Sequence, residues 1–318
     1  MGVHPQVQFL LQMMESRGLP PLEQLGVQEA RQAFITSATM MSKAEIKVKT
    51  EDRLIQGAEK EITIRIYTPD VSGLTGALVY YHGGGWVIGN IETHDALCHT
   101  VAAESGCIVV SVDYGLAPES KFPEPVEDAY LAAKWIYDHA SEIGVDSKRI
   151  AVGGDSAGGN LAAAVTYLAA ERKDLELAYQ MLLYPSTSFE LTESYEKYSE
   201  GYYLTKGTMD WFREQYLTSV DDTASPLAAP MLIPDVATKQ LPPAFIMTAE
   251  FDPLCDGGEA YANKLKDAGV EVKYVCYPGM IHGFLGMTEF LTDGKKAVSE
   301  IASELKAKFV TNVSDFSK

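Results

Sequence analysis

The sequence lacks long hydrophobic runs and is poor in basic residues. No stretch reaches the roughly 20 apolar residues that a membrane-spanning helix needs, and no basic leader precedes Phe9-Leu10-Leu11. The 26 Lys and Arg residues against 44 Asp and Glu give a net charge of −18, which opposes binding to nucleic acids and anionic membranes. We therefore expect a cytoplasmic protein with no nucleic-acid partner.

Cysteine is also scarce. The four cysteines, at positions 98, 107, 255 and 276, form no C-x-x-C pair and show no metal-finger spacing. No P-loop and no G-x-G-x-x-G turn is present either. We therefore expect reduced, structural thiols and neither a metal nor a cofactor. Cys255 lies near a candidate carboxylate, but a Cys without its own His partner more often packs than reacts.

The chain alternates between strand and helix patterns from Ala77 onward. Such alternation predicts an α/β fold with a mostly parallel central sheet and helices on both faces. Before Ala77, apolar residues at every second position between Glu45 and Tyr67 predict an antiparallel hairpin. The last strand is expected over 270–277 and a final helix over 295–309, with a frayed tail after Val310. The predicted organisation is N-terminal cap helices over 1–44, core over 45–185, an inserted cap over 186–225 and core over 226–318.

The inserted segment 186–225 is rich in aromatic residues. Thr205 is a suitable N-cap for a helix on which Met209, Phe212 and Tyr216 share one face. That face either lies over an apolar pocket or anchors the insertion to the core.

A strand, a sharp turn and a helix are predicted over 149–173. Gly154, Ser156 and Gly158 fit the G-x-S-x-G nucleophile elbow at this turn. Glycine neighbours let the strand and the helix close behind a strained Ser. The alternatives are a small-residue turn or a phosphate-binding loop.

A second glycine-rich stretch, His82-Gly-Gly-Gly-Trp86, follows the predicted strand 77–81. Adjacent glycines let backbone N–H groups approach a ligand closely, as an oxyanion hole requires. The alternative is a glycine-rich turn without a function.

Asp252 and His282 each follow a late predicted strand. Ligands of open α/β sheets bind beyond the carboxyl ends of the strands, so Ser156, Asp252, His282 and the glycines at 83–85 are expected to meet there. Asp256 is the rival acid, but we expect it to cap a helix. His94, His99 and His139 lie in helical patterns and are expected to be surface or packing residues, whereas His82 is expected to hold the glycine loop.

These motifs resemble those of the hormone-sensitive-lipase-like, or bacterial family IV, carboxylesterases of the α/β-hydrolase superfamily. The segments that carry the resemblance are His82-Gly-Gly-Gly-Trp86, Gly154-Asp-Ser-Ala-Gly-Gly159, Asp252-Pro-Leu254 and His282-Gly-Phe284. It extends over nearly the whole chain, with Gly115 where the family usually carries Arg.

The resemblance implies particular roles for residues of this chain. Ser156 is the nucleophile, His282 the general base and Asp252 the carboxylate that orients it. The N–H groups of Gly84, Gly85 and Ala157 form the oxyanion hole, with Gly83 as a further candidate. We also expect substrate contacts from Trp86, Asp155, Tyr184 and Phe212.

The implied activity is hydrolysis of short- to medium-chain carboxylic esters through an acyl-enzyme. Amide or acetyl-group hydrolysis by the same triad is an alternative, as are an interfacial lipase and a non-catalytic small-molecule receptor. A homodimer through the last strand is a further hypothesis.

Overall fold

A computed structural model describes residues 2–310, so that the tail after Val310 lies outside the described residues. Its strands are β1 (Lys49–Gln56), β2 (Glu61–Thr68), β3 (Thr75–Tyr81), β4 (Ile108–Asp113), β5 (Val145–Asp155), β6 (Tyr179–Leu183), β7 (Ala244–Phe251) and β8 (Val272–Ile281). Its α-helices are α1 (Pro5–Ser16), α2 (Val27–Met41), α3 (Ile91–Ser105), α4 (Glu124–Asp138), α5 (Ala157–Arg172), α6 (Glu193–Tyr198), α7 (Lys206–Tyr216), α8 (Asp235–Thr238), α9 (Cys255–Asp267) and α10 (Thr292–Phe309).

The eight strands form one sheet in the order β1-β2-β4-β3-β5-β6-β7-β8. The predicted hairpin is present, because β1 pairs antiparallel with β2. β2 also pairs antiparallel with β4, and all later pairs are parallel. β8 continues four residues beyond the predicted end at Tyr277, through Pro278 to Ile281. The α/β prediction is therefore confirmed.

Apolar residues cover both faces of the sheet, because successive side chains of a strand point to opposite sides. On one face, Val79 of β3 belongs to the same buried cluster as residues of α4, α5 and α9. On the other face, Leu78 belongs to a cluster with residues of α1, α3 and α10. Burying one such side chain stabilises the fold by about 1.5–3 kcal/mol.

Two further segments meet near the carboxyl ends of the strands, although α1 of the first also packs in the second core cluster. The N-terminal segment contributes α1 and α2, and the insertion after β6 contributes α6 and α7. Thr208 Oγ1 of α7 donates a hydrogen bond to Glu23 Oε2 at 2.9 Å, which joins the two segments. Arg31 of α2 donates to the carbonyl oxygens of Val87 and Ala117, both at 2.9 Å. Within residues 2–310, no helix is long and apolar enough to cross a membrane.

Candidate active site

The nucleophile elbow is present between β5 and α5. Ser156 adopts φ 57° and ψ −117°, a strained conformation for a residue with a Cβ. Close packing explains its glycine neighbours: a Cβ on Gly158 would lie 1.9 Å from the carbonyl oxygen of Tyr81, and one on Gly154 would lie 2.2 Å from the same atom. The strand β3 therefore requires glycine at both positions.

The structure brings Ser156, His282 and Asp252 into one hydrogen-bonded chain. Ser156 Oγ lies 2.9 Å from His282 Nε2, and His282 Nδ1 lies 2.7 Å from Asp252 Oδ2. With its proton on Nδ1, His282 donates to the carboxylate, and its Nε2 accepts from the Ser156 hydroxyl. Asp252 is fully buried and His282 is 6% exposed. This geometry suits removal of a proton from Ser156.

The rival carboxylate, Asp256, takes no part in the hydrogen bonds that join Ser156, His282 and Asp252. Its Oδ2 accepts the backbone N–H of Ser194 at 2.7 Å, so that it holds the start of α6. The expectation that Asp256 is a helix N-cap is wrong, because α9 begins one residue earlier, at Cys255, and its N-cap position is Leu254. Asp252 accepts the N–H of Leu254 with its second oxygen, at 2.8 Å.

The glycine loop after β3 turns in the left-handed region. Gly84, Gly85 and Trp86 have φ values of 119°, 58° and 62°. Within the described part of the chain, no acceptor takes the N–H groups of Gly84, Gly85 or Ala157. The N–H of Gly83 differs, because it donates to Asp155 Oδ1 at 2.9 Å. Gly83 is therefore already committed to a hydrogen bond, while the other three N–H groups are available for a ligand.

Asp155, beside the nucleophile, has three polar partners around one oxygen. Its Oδ1 accepts from Tyr80 Oη at 2.8 Å and from the Gly83 N–H, and His94 Nε2 lies 3.1 Å away. Burial opposes the charged form, yet these partners outweigh it and lower the pKa of Asp155 to about 2. The carboxylate ties the elbow to the glycine loop.

His94 is a residue of the site that the sequence pattern misses. Its side chain is 11% exposed and lines the cavity in front of Ser156, in contact with Asp155. Of the two expected roles, packing therefore applies to His94 and a surface position does not, because its ring lies beside the rings of Tyr80 and His82. The helical pattern of α3 places this residue in the first turn but gives no sign of its acidic partner.

His82 holds the glycine loop from behind, as expected. Its Nδ1 lies 2.8 Å from the carbonyl oxygen of Gly83, and its ring stacks on Tyr114 at a centroid distance of 4.4 Å. Full burial, with the nearby His94, lowers the pKa of His82 from its ordinary value of 6.5 to about 4. His82 is therefore neutral at pH 7.

A cavity of about 1130 Å³ opens in front of Ser156. Its wall includes all four residues expected to contact substrate, namely Trp86, Asp155, Tyr184 and Phe212. Tyr184 also packs against the His282 ring at a centroid distance of 4.8 Å. Both segments above the core contribute apolar side chains to the cavity, among them Leu11, Met14, Phe34, Phe189 and Met209.

The face of α7 divides between the cavity and the core. Met209 and Phe212 line the cavity, whereas Tyr216 is fully buried behind the glycine loop and stacks on Trp86. Both interpretations of this face therefore apply, to different residues.

Cys255 does not face the serine. Its Sγ lies 3.9 Å from Cys276 Sγ and 3.8 Å from Thr248 Oγ1.

Gly115, where the family usually carries Arg, affects only the local packing. Its N–H donates to Asp128 Oδ2 at 2.8 Å, and a Cβ there would lie 2.6 Å from Ser120 Oγ.

A family model described as an alpha/beta hydrolase fold matches residues 78–286. This range contains the glycine loop and the three hydrogen-bonded residues Ser156, His282 and Asp252. The chain belongs to the hormone-sensitive-lipase-like family of α/β-hydrolases. The resemblance read from its motifs is thereby confirmed.

Relatives of this α/β-hydrolase carry the names of ester hydrolases. Over 270 residues, this chain is 43% identical to the carboxylic ester hydrolase LipN of Mycobacterium tuberculosis, and the match covers 83% of this chain and 71% of the relative. It is 35% identical over 317 residues to an ethyl acetate hydrolase of Pseudomonas putida, covering 96% and 99%. The crystal structure of a thermostable esterase from Pseudomonas putida ECU1011 superposes with a TM-score of 0.94 at 37% identity, covering 98% and 99%.

Proposed function

We propose that this chain is a serine carboxylesterase that hydrolyses short- to medium-chain carboxylic esters through an acyl-enzyme. One observation carries the proposal: the hydrogen-bonded chain from Ser156 through His282 to the buried Asp252, with distances of 2.9 and 2.7 Å. The names of its relatives, which include an arylesterase and an ethyl acetate hydrolase, support the same class of substrate.

In the first half of the reaction, His282 Nε2 takes the proton of Ser156 as Oγ attacks the ester carbonyl carbon. Asp252 fixes the tautomer of His282 and stabilises the imidazolium that forms. His282 then gives the proton to the leaving alcohol as the ester bond breaks. In the second half, a water molecule attacks the acyl-enzyme with the help of His282, and the carboxylic acid is released.

The negative charge on the carbonyl oxygen needs donors that are ready before the reaction. We assign this role to the N–H groups of Gly84, Gly85 and Ala157, which donate to no acceptor within residues 2–310. Ala157 also opens α5, whose positive N-terminal end favours an oxyanion. Each such donor contributes about 10²- to 10³-fold to the rate. Gly83 supports the loop instead, through its bond to Asp155.

The apolar cavity sets the range of substrates. We propose that residues 1–44 and 186–225 act together as a cap over the core formed by 45–185 and 226–318. Both cap segments line the cavity, whose volume of about 1130 Å³ is slightly above the usual range of about 300–1,000 Å³ for small-molecule sites. Trp86, Tyr184 and Phe212 offer aromatic contacts to an acyl or aryl group, and Asp155 lies beside them.

The test is hydrolysis of p-nitrophenyl esters from acetate to palmitate by the wild type and by Ser156→Ala, with a chelator present. We expect the wild type to prefer short and medium chains and the variant to lose nearly all activity. Activation by an emulsified triolein interface over soluble tributyrin would favour a lipase instead. Hydrolysis of 4-nitroacetanilide without ester hydrolysis would favour an amidase, and ligand binding without turnover would favour a receptor.

We also propose a homodimer that forms through β8. This strand is at one end of the sheet order and pairs with β7 along one side, and an open strand edge favours pairing with a second copy. A monomer mass in light scattering at working concentration would contradict the dimer.

We also propose a cytoplasmic location. The four cysteines form no C-x-x-C pair, which fits a protein that keeps its thiols reduced.

A further inference from the structure

The glycine loop holds an unfavourable conformation at a bulky residue. We call Gly84, Gly85 and Trp86 the oxyanion loop. Glycine accepts a positive φ without a steric cost, but Trp86 at φ 62° does not. Hydrogen bonds from the N–H groups of Val87 and Ile88 to the Gly84 carbonyl oxygen close the turn. They do not fix the Trp86 side chain, so other contacts must hold it.

Helix α7 supplies these contacts with two aromatic side chains one turn apart. The Tyr216 ring is stacked on the Trp86 indole, with a centroid distance of 4.3 Å and an interplanar angle of 3°. The Phe212 ring covers Gly85 so closely that a Cβ there would lie 2.1 Å from a ring carbon. Phe212 and Tyr216 are 8% and 0% exposed. Two of the three loop residues are therefore pressed against one helix.

The end of α7 that carries Tyr216 is itself bound to the core. The N–H of Phe122 donates to the Tyr216 carbonyl oxygen at 2.9 Å. Lys121 Nζ donates to the carbonyl oxygens of Leu217 and Glu214, at 3.1 and 3.3 Å. The Phe122 ring meets the Tyr216 ring edge to face, with a centroid distance of 5.8 Å. This end of α7 is fixed to the segment that follows β4, so it can support the loop.

We propose that Tyr216 and Phe212 are positioning residues that hold the oxyanion loop in its left-handed conformation. Helix α7 then serves transition-state stabilisation as well as substrate contact. The inference rests on the proposed esterase function. Tyr216 does not line the cavity, so it acts on the reaction only through Trp86.

The stacked ring, rather than the hydroxyl, carries this role. Tyr216 Oη has no hydrogen-bond partner among the described residues. Tyr216→Phe keeps the ring and is the matched control, whereas Tyr216→Leu removes the stack. We expect Tyr216→Leu to lower kcat by about 10- to 100-fold, up to the loss of one oxyanion donor, with KM within about threefold. Tyr216→Phe should keep both within about twofold.

A transition-state analogue separates this role from substrate binding. A trifluoromethyl ketone forms a tetrahedral adduct with the serine, and its oxyanion needs the same donors. Its inhibition constant should rise in Tyr216→Leu by the factor lost in kcat/KM, because both report transition-state binding. If Tyr216→Leu does not fold, Phe212→Leu provides a second route; because Phe212 also lines the cavity, the readout for this variant is the fall in kcat and not the change in KM. Unchanged analogue affinity in a folded Tyr216→Leu, a rise in its KM alone, or an unchanged kcat in Phe212→Leu overturns the inference.

A double-mutant cycle tests whether Tyr216 acts through Trp86. The double variant Trp86→Leu/Tyr216→Leu should lose no more activity than Trp86→Leu alone, since both changes remove one stack. Additive losses contradict the mechanism. Failure of the two proposals can be told apart: a wild type that hydrolyses no ester refutes the esterase, whereas an active wild type with an equally active Tyr216→Leu refutes only the role of α7.

Discussion

Asp252 Oδ2 lies 2.7 Å from His282 Nδ1, and the whole of Asp252 is buried. Its other oxygen accepts the N–H of Leu254, which fixes the direction of the carboxylate. The imidazole therefore has one favourable orientation, with Nε2 toward Ser156. In such an arrangement the carboxylate selects the tautomer that can act as a base.

Asp252→Asn tests this relationship. The amide in place of the carboxylate favours the wrong tautomer of His282 and leaves the geometry nearly intact, so kcat should fall by about 10⁴-fold. Asp256→Asn is the matched control, because Asp256 bonds to Ser194 and not to His282. Its kcat should stay within about threefold of the wild type, while its melting temperature falls. Steady-state kinetics with p-nitrophenyl butyrate distinguishes the two, and equal losses would contradict the assignment of the acid.

The position of these residues follows from the sequence for a physical reason. The apolar runs before Asp252 and His282 give β7 and β8, and parallel strands bring their carboxyl ends to one edge of the sheet. Glycine is needed around Ser156 and in the glycine loop because a Cβ at these sites would collide with neighbouring backbone or side-chain atoms, and such glycines are visible in the sequence. Fold class and family were accordingly predictable from motifs and periodicity.

Contacts between elements were not predictable in the same way. A helical pattern shows which residues share a face, but the angle at which α7 docks decides that Phe212 meets the cavity and Tyr216 the Trp86 ring. The pairing of His94 with Asp155 depends on the packing of α3 against the elbow. The Asp256 error has the same origin, since a difference of two residues in the start of α9 changes the role of its first carboxylate.

Asp155→Asn should weaken the link between the elbow and the glycine loop. The amide carries no negative charge, so its contacts with Tyr80, Gly83 and His94 should be weaker than those of Asp155 Oδ1. We expect kcat to fall about tenfold or more, with a smaller change in KM. Asp146→Asn, at the half-buried start of the same strand, is the control and should leave kcat unchanged. A rise in KM alone would assign Asp155 to substrate binding instead.

His82 should make the fold sensitive to mild acid. Its pKa is lowered from 6.5 to about 4 in the folded protein, so the unfolded chain binds more protons between these values. The stabilisation that results is complete above about pH 6.5 and is lost as the pH falls toward 4, by about 3 kcal/mol. Urea unfolding of wild type and His82→Gln at pH 7, 6, 5 and 4 measures this. The free energy of unfolding should depend less steeply on pH in the variant; parallel curves would contradict the lowered pKa.

Thiol chemistry should leave the ester reaction intact. Cys255 faces Cys276 and Thr248 instead of Ser156, so Cys255→Ser should keep kcat within about twofold. The hydrogen bond from Cys255 lowers the pKa of Cys276, whereas burial raises the pKa of Cys98 and Cys107. Iodoacetamide at pH 7.5 should therefore modify Cys276 before the two buried thiols. Peptide mapping that finds Cys98 or Cys107 labelled first would contradict this order.

Covalent labelling tests the assignment of Ser156 as the nucleophile most directly. A small dialkyl p-nitrophenyl phosphate should react with Ser156, release p-nitrophenol and leave a stable phosphoryl adduct on the elbow peptide. We expect one adduct per chain, located at Ser156 by tandem mass spectrometry, with esterase activity lost in proportion to labelling. The Ser156→Ala protein should remain unlabelled. Full ester turnover in a chain already modified at Ser156 would show that Ser156 is not the nucleophile. Loss of activity with the adduct on another residue would show the same.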